Sequence, residues 1–150
     1  LDLPADPVPD LKVGRVIPED VWAILCIFAE ARGEPYEGMV AVGNVIRNRT
    51  AKHHFSDGTI VGTVCAPKQF SWMNDADGQR TRVLGSCWDE SGCKLAARAW
   101  AESATVQLVK DALWYHADYV SPYWSRAESM EFVRRIGRHL FYRRAKETHP

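Results

Sequence analysis

The sequence predicts an α+β domain, mostly helical with a small antiparallel sheet. Three observations lead there. Residues 21–28 are apolar on every helical face and pass, through Gly33 and Pro35, into a second helical pattern. Residues 94–109 are rich in strong helix formers. Two aromatic, strand-like stretches, 112–120 and 132–142, come last. Helices gathered ahead of strands suit an α+β layer and not alternating βαβ units.

Residues 1–17 set Pro4, Pro7 and Pro9 among Asp2, Asp6 and Asp10 and read as an extended arm or linker. That leaves 18–150 as one domain. Pro18, Glu19 and Asp20 make an acidic helix start, and the first helix runs to about 28–31. Gly33 breaks it, and Pro35 opens the next. The second helix ends near Arg49, with Met39, Val42, Val45 and Ile46 as its buried stripe. Gly38 and Gly43 weaken it by about 1 kcal/mol each relative to Ala, which close packing against a neighbouring helix would explain. Asn44, Arg47 and Asn48 face elsewhere, toward a ligand or toward solvent. His53 and His54 fall in a turn that reads as a solvated loop, and 59–64 as a short strand or helix start. Residues 74–92 form a long polar connection containing Asp75 and Asp77. The stretch 132–142 is the hairpin partner of 112–120.

The bulk numbers exclude several classes. The 150 residues suffice for one hydrophobic core. Nineteen basic and nineteen acidic residues cancel, so nothing global favours nucleic acid or an anionic membrane. No apolar run approaches the roughly 18 residues that span a bilayer. The acidic, Pro-rich N-terminus has no basic leader region, although the chain does not begin with Met, which leaves export open. Cys26 reads as a core residue. Cys87 and Cys93 flank a turn-rich stretch and could pair locally, or either with Cys65, but free thiols are the default expectation. The paired CxxC ligands of a structural zinc site are absent.

The residue with chemistry written most plainly is Glu30. It sits at the end of the buried first helix, under the bend forced by Gly33. Burial there would disfavour its charged form, as a general acid near neutral pH requires. An ion pair with Arg32 at the helix end explains the same pattern. A second suggestive stretch sets Gln69 and Ser71 beside Phe70 and Trp72. Amides and hydroxyls interleaved with aromatic faces suit a carbohydrate, and a half-buried strand suits them equally.

Five pieces in order carry a resemblance: Glu30-Ala31-Arg32-Gly33-Glu34-Pro35; the block from Glu37 through Gly43 and Asn44 to Arg49; Gln69-Phe70-Ser71; the block from Tyr115 and His116 through Tyr119 to Trp124; and the block from Ile136 to Tyr142. Together they resemble the cell wall hydrolase family of the spore cortex-lytic enzymes, with SleB-like catalytic domains. The resemblance implies a lysozyme-like, lytic-transglycosylase-like α+β domain acting on peptidoglycan glycan strands. The first glutamate of the family block is the catalytic acid, here Glu30. Glu34, Gln69, Phe70, Ser71, Tyr115, His116 and Tyr119 are then the expected substrate contacts. No cofactor or metal is implied, and a monomer acting on the wall, outside the cytoplasm, is expected. No peptidoglycan-binding module is expected ahead of the domain, which would suit a phage lysin or a wall-remodelling enzyme. Three alternatives stay open: a hydrolase with Glu34, Asp75 or Asp77 as second carboxylate, a zinc amidase using His53, His116 and a cysteine, and a binding module built on Trp72, Tyr115, Tyr123 and Trp124.

Overall fold

The structure is a computed structural model that describes residues 18–66, 69–70, 82–83 and 91–146. The expected arm at 1–17, the cysteine at 87 and the acidic connection with Asp75 and Asp77 lie outside these residues.

Helix α1 (Glu19–Ala31) carries Glu19 and Asp20 in its first turn and buries Trp22, Leu25, Ile27 and Phe28. It ends as the sequence expects. The Arg32 N–H donates to the Phe28 carbonyl, and Gly33 adopts φ 88°, a conformation costly for any residue with a Cβ. Helix α2 (Tyr36–Lys52) follows directly on Pro35. It is buried from Gly38 to Ile46 because it is the central element, packed against α1, β2, the short helix α3 (Ile60–Val64) and helix α4 (Ser91–Ser103). The Thr59 hydroxyl accepts the Gly62 N–H and caps α3, which decides the segment at 59–64 for helix over strand. A Cβ on Gly43 would lie 2.8 Å from the Ser103 side chain, so the α2–α4 approach demands glycine.

Asn44, Arg47 and Asn48 meet neither ligand nor solvent as their main partner. The Asn44 amide donates to the Ser103 and Val106 carbonyls and accepts from the Leu108 N–H. Arg47 donates to the Trp100 carbonyl and Ser103 Oγ, and Asn48 to the Ala112 carbonyl. These side chains strap the chain leaving α4 onto α2. That corrects the expected length of the third helix: its apolar residues continue to Val109, but Asn44 takes over the backbone groups and helix ends at Ser103.

The sheet has the order β1-β3-β2, all antiparallel, from β1 (Trp114–Ala117), β2 (Met130–Ile136) and β3 (His139–Arg144). The stretch 132–142 is therefore not one strand pairing with β1. It turns at Gly137, φ 57°, and forms its own hairpin, whose second strand pairs with β1. Ile136 and Phe141 pack with Ala41 and Val45 in a core between sheet and α2, separate from the α1–α2–α4 core. Burying Phe141 alone is worth about 1.5–3 kcal/mol. Among the described residues no helix is long and apolar enough to cross a membrane.

Candidate active site

Glu30 lies in the last turn of α1, half-buried. Tyr115 reaches it from β1 and donates its hydroxyl to Glu30 Oε1 at 3.0 Å. Strand alternation explains which way Tyr115 points. It is paired with Phe141, and its ring packs against Phe141 and His139 at 5.5 and 5.0 Å between centroids. Burial, then the nearby Glu30 carboxylate, pushes the Tyr115 hydroxyl well above the usual phenol range, so it stays a donor.

Arg49 completes the cluster and was not singled out from sequence. It is 4% exposed. Its Nε donates to the Leu113 carbonyl at 2.7 Å and its guanidinium carbon lies 5.1 Å from the Phe70 ring centre, while the buried Nη1 has no hydrogen-bond partner among the described residues. Burial lowers its pKa, and Tyr115, Cys26 and Glu30 oppose that shift, so Arg49 sits within electrostatic reach of both site residues. A signal was present: Arg49 follows Val42, Val45 and Ile46 at seven, four and three residues, on the buried stripe itself.

Glu34 holds the architecture around the site. Its Oε1 accepts the Arg138 N–H at 2.7 Å and lies 3.8 Å from His139 Nδ1. A Cβ on Gly137 would come within 2.8 Å of that oxygen and 2.7 Å of Pro35 Cδ. The turn between α1 and α2 is thereby docked onto the β2–β3 turn, which brings Glu30 against β1. Burial lowers the His139 pKa, and Glu34 partly opposes this. Arg138 also lies over the ring of Tyr119, 5.5 Å from its centre, and Tyr119 is 75% exposed.

The other expected contacts fall in different places. Phe70 is 1% exposed, a core residue beneath Arg49 with no face presented outward. Gln69 is half-buried and lines a cavity of about 320 Å³ with Phe55, Ser56, Asp57, Gly62 and Ala66. Phe55, an exposed aromatic held at φ 47°, is a second residue that sequence reasoning passed over. His116 is on the opposite face of β1 from Tyr115, where it stacks on Tyr142 at 5.3 Å, meets its hydroxyl at 3.0 Å and touches Trp124 edge-on. Ser71 and Trp72 lie outside the described residues.

His54 is not the solvated side chain expected of its loop. Its ring meets Phe55 and Trp114 edge-on, and its Nε2 is buried without a hydrogen-bond partner among the described residues. Cys93 is disulfide-bonded, against the default expectation of thiols, whereas Cys26 and Cys65 are in no disulfide. Among the described residues no three His, Cys, Asp or Glu side chains converge as a metal site requires.

The family model for cell wall hydrolases matches residues 33–142. The chain belongs to the cell wall hydrolase family. The match takes in Glu34, Arg49, Gln69 and Tyr115, and Glu30 stands just before it. Among curated members, the spore cortex-lytic enzyme of Oceanobacillus iheyensis is 32% identical over 125 residues, covering 77% of this chain and 38% of that protein. That of Bacillus subtilis strain 168 is 33% identical over 118 residues, covering 77% and 34%. The chain thus spans little more than a third of the length of these relatives. A solved structure described as the catalytic domain of the germination-specific lytic transglycosylase SleB from Bacillus anthracis superposes with a TM-score of 0.65 at 26% identity, over 89% of this chain and 98% of that domain. The SleB catalytic domain of Bacillus cereus shares the fold at 0.64. The lysozyme-like α+β class expected from sequence is therefore the fold of this family member.

Proposed function

We propose that this domain cleaves the MurNAc–GlcNAc bond of peptidoglycan as a lytic transglycosylase, with Glu30 as the catalytic acid and base. The observation that carries the reading is the Tyr115–Glu30 hydrogen bond, a carboxyl group held by a half-buried tyrosine beside the buried cation Arg49. Likeness to the SleB catalytic domain supports the same chemistry.

In the first step protonated Glu30 gives its proton to the glycosidic oxygen, and the bond to C1 of the muramyl sugar breaks with oxocarbenium character. The charge of Arg49 favours the carboxylate that results, and Tyr115 donates to it. In the second step the ionised Glu30 takes the proton of the C6 hydroxyl, whose oxygen closes onto C1. The product is a 1,6-anhydro end, and Glu30 is again protonated. No water and no second carboxylate take part. Glu34, the nearest alternative partner in sequence, is committed to the Arg138 N–H, which favours the one-carboxylate route.

Tyr119 and the Phe55–Gln69 cavity offer aromatic faces and an amide for neighbouring sugars. The domain works as a monomer on the wall, outside the cytoplasm, without metal or cofactor. The glutamate's role is tested by Glu30→Gln, which keeps shape and removes the titrating proton. Release of soluble fragments from purified sacculi falls at least about 1,000-fold with melting temperature unchanged. An active Glu30→Gln protein would remove Glu30 from the reaction.

A further inference from the structure

Outside the Glu30 site, cationic side chains gather at the far end of the sheet among the described residues. A cavity of about 410 Å³ is lined by Lys52, Lys110, Arg143, Arg144 and Lys146 with Asp111 and Leu113. The whole chain carries no net charge, so five cations around one cavity are a local feature and not a general basicity. Two of them are already engaged. Arg143 pairs with Glu131 through both Nε and Nη2, and Lys52 lies 3.9 Å from Asp111. Arg144 is held over the Trp114 ring, 5.5 Å from its centre, and has no carboxylate within 4.0 Å among the described residues. Lys110 and Lys146 are exposed and have no ion pair within 4.0 Å among the described residues, although Lys146 lies near enough to Glu131 to help hold its carboxyl below the usual range. Asp111 sits at φ 62° in the turn that presents Lys110.

Three cations around one concavity, two of them exposed lysines and one a guanidinium held over an aromatic ring, suit an oxyanion with several acceptor atoms. Leu113 ties the cavity to the catalytic cluster, since it lines the cavity and its carbonyl accepts Arg49 Nε. We propose that this cavity docks the carboxylates of the peptidoglycan itself, the anionic groups that the proposed substrate carries, and so holds the polymer while the Glu30 site acts on it. The inference rests on the wall substrate proposed above but not on the identity of the acid.

The test measures retention on purified sacculi, in the cold, with the chain in a Glu30→Gln background so that binding is read without cleavage. The partner variant adds Lys110→Gln and Lys146→Gln, which remove two charges and replace no member of the two existing ion pairs. Retention by the parent weakens as salt is raised through the physiological range. The variant binds at least about tenfold more weakly at an unchanged melting temperature. In an otherwise wild-type chain the two changes leave cleavage of short glycan fragments, too small to reach from the Glu30 site to the cavity, as it was. Sacculi treated with hydrofluoric acid lose phosphodiester-linked polymers and keep peptide carboxylates. Retention that survives the acid supports the carboxylates as the ligand, and retention lost with it means that phosphate-bearing polymers are bound and overturns the proposal. Equal retention of parent and variant overturns the docking site while leaving Glu30's role untouched. Lysis by the Glu30→Gln protein overturns that role while leaving the docking site standing.

Discussion

The Tyr115 hydroxyl donates to Glu30 Oε1 at 3.0 Å across 85 residues of sequence. One residue ends the first helix and the other sits in the first strand, so the pair forms only when the sheet docks on the helices. Tyr115→Phe removes the hydroxyl and keeps the ring between His139 and Phe141. Losing a hydrogen bond to a charged group costs about 1.5–3 kcal/mol, so cleavage slows roughly 10- to 100-fold. The melting temperature shifts far less than activity, as thermal unfolding beside a fragment-release assay would read. Full activity in the phenylalanine variant would make the bond incidental.

Asn44 is fully buried and serves three backbone groups of residues 103–108. Asn44→Ala leaves all three without their partner in the interior. Unsatisfied buried groups cost about 1–3 kcal/mol each, with partial relaxation here, so a loss of about 2–4 kcal/mol is expected from denaturant melts. A variant as stable as the parent would mean that this segment finds other partners.

Burial, then Arg49 and Arg144, lowers the His54 pKa to about 4. The native state therefore keeps His54 neutral while the unfolded chain takes up a proton near pH 6.5. Its contribution is in place above pH 6.5 and is lost progressively as pH falls toward 4. The side chain is partly exposed, and after discounting for solvent screening the loss is about 1 kcal/mol. Melting temperature measured across this window should fall by roughly 3–5 °C from this group, and His54→Phe should flatten that part of the curve. An identical acid limb in the variant would assign the pH dependence elsewhere.

The helices were legible because their signals are local. An all-apolar run, a Gly33–Pro35 break and a 3.6-residue stripe place α1 and the start of α2 nearly to the residue, while α2 runs on to Lys52, past the expected end near Arg49. The end of α4 was not legible, since it is set by Asn44, which is distant in sequence. The hairpin at Gly137 was read as one strand because a two-residue turn interrupts the strand-like run only briefly. Glu30 could be picked out from burial and the bend, and Tyr115 only through family resemblance. Arg49 lay in view on the apolar stripe, but a cation there has no meaning until the sheet brings Leu113 and Tyr115 over it. His116 shows the converse: strand alternation turns it away from its neighbour Tyr115.

The central claim is that one glutamate performs both proton transfers and that the muramyl C6 hydroxyl, not water, receives C1. Mass spectrometry of the soluble fragments released from purified sacculi reads this directly. The account predicts muropeptides ending in 1,6-anhydro-muramic acid, lighter by one water than hydrolysed ones, from the wild-type chain and none from Glu30→Gln. Reducing, fully hydrated muramic ends would contradict it and require a second carboxylate, and free stem peptides would move the cleaved bond away from the glycan strand altogether.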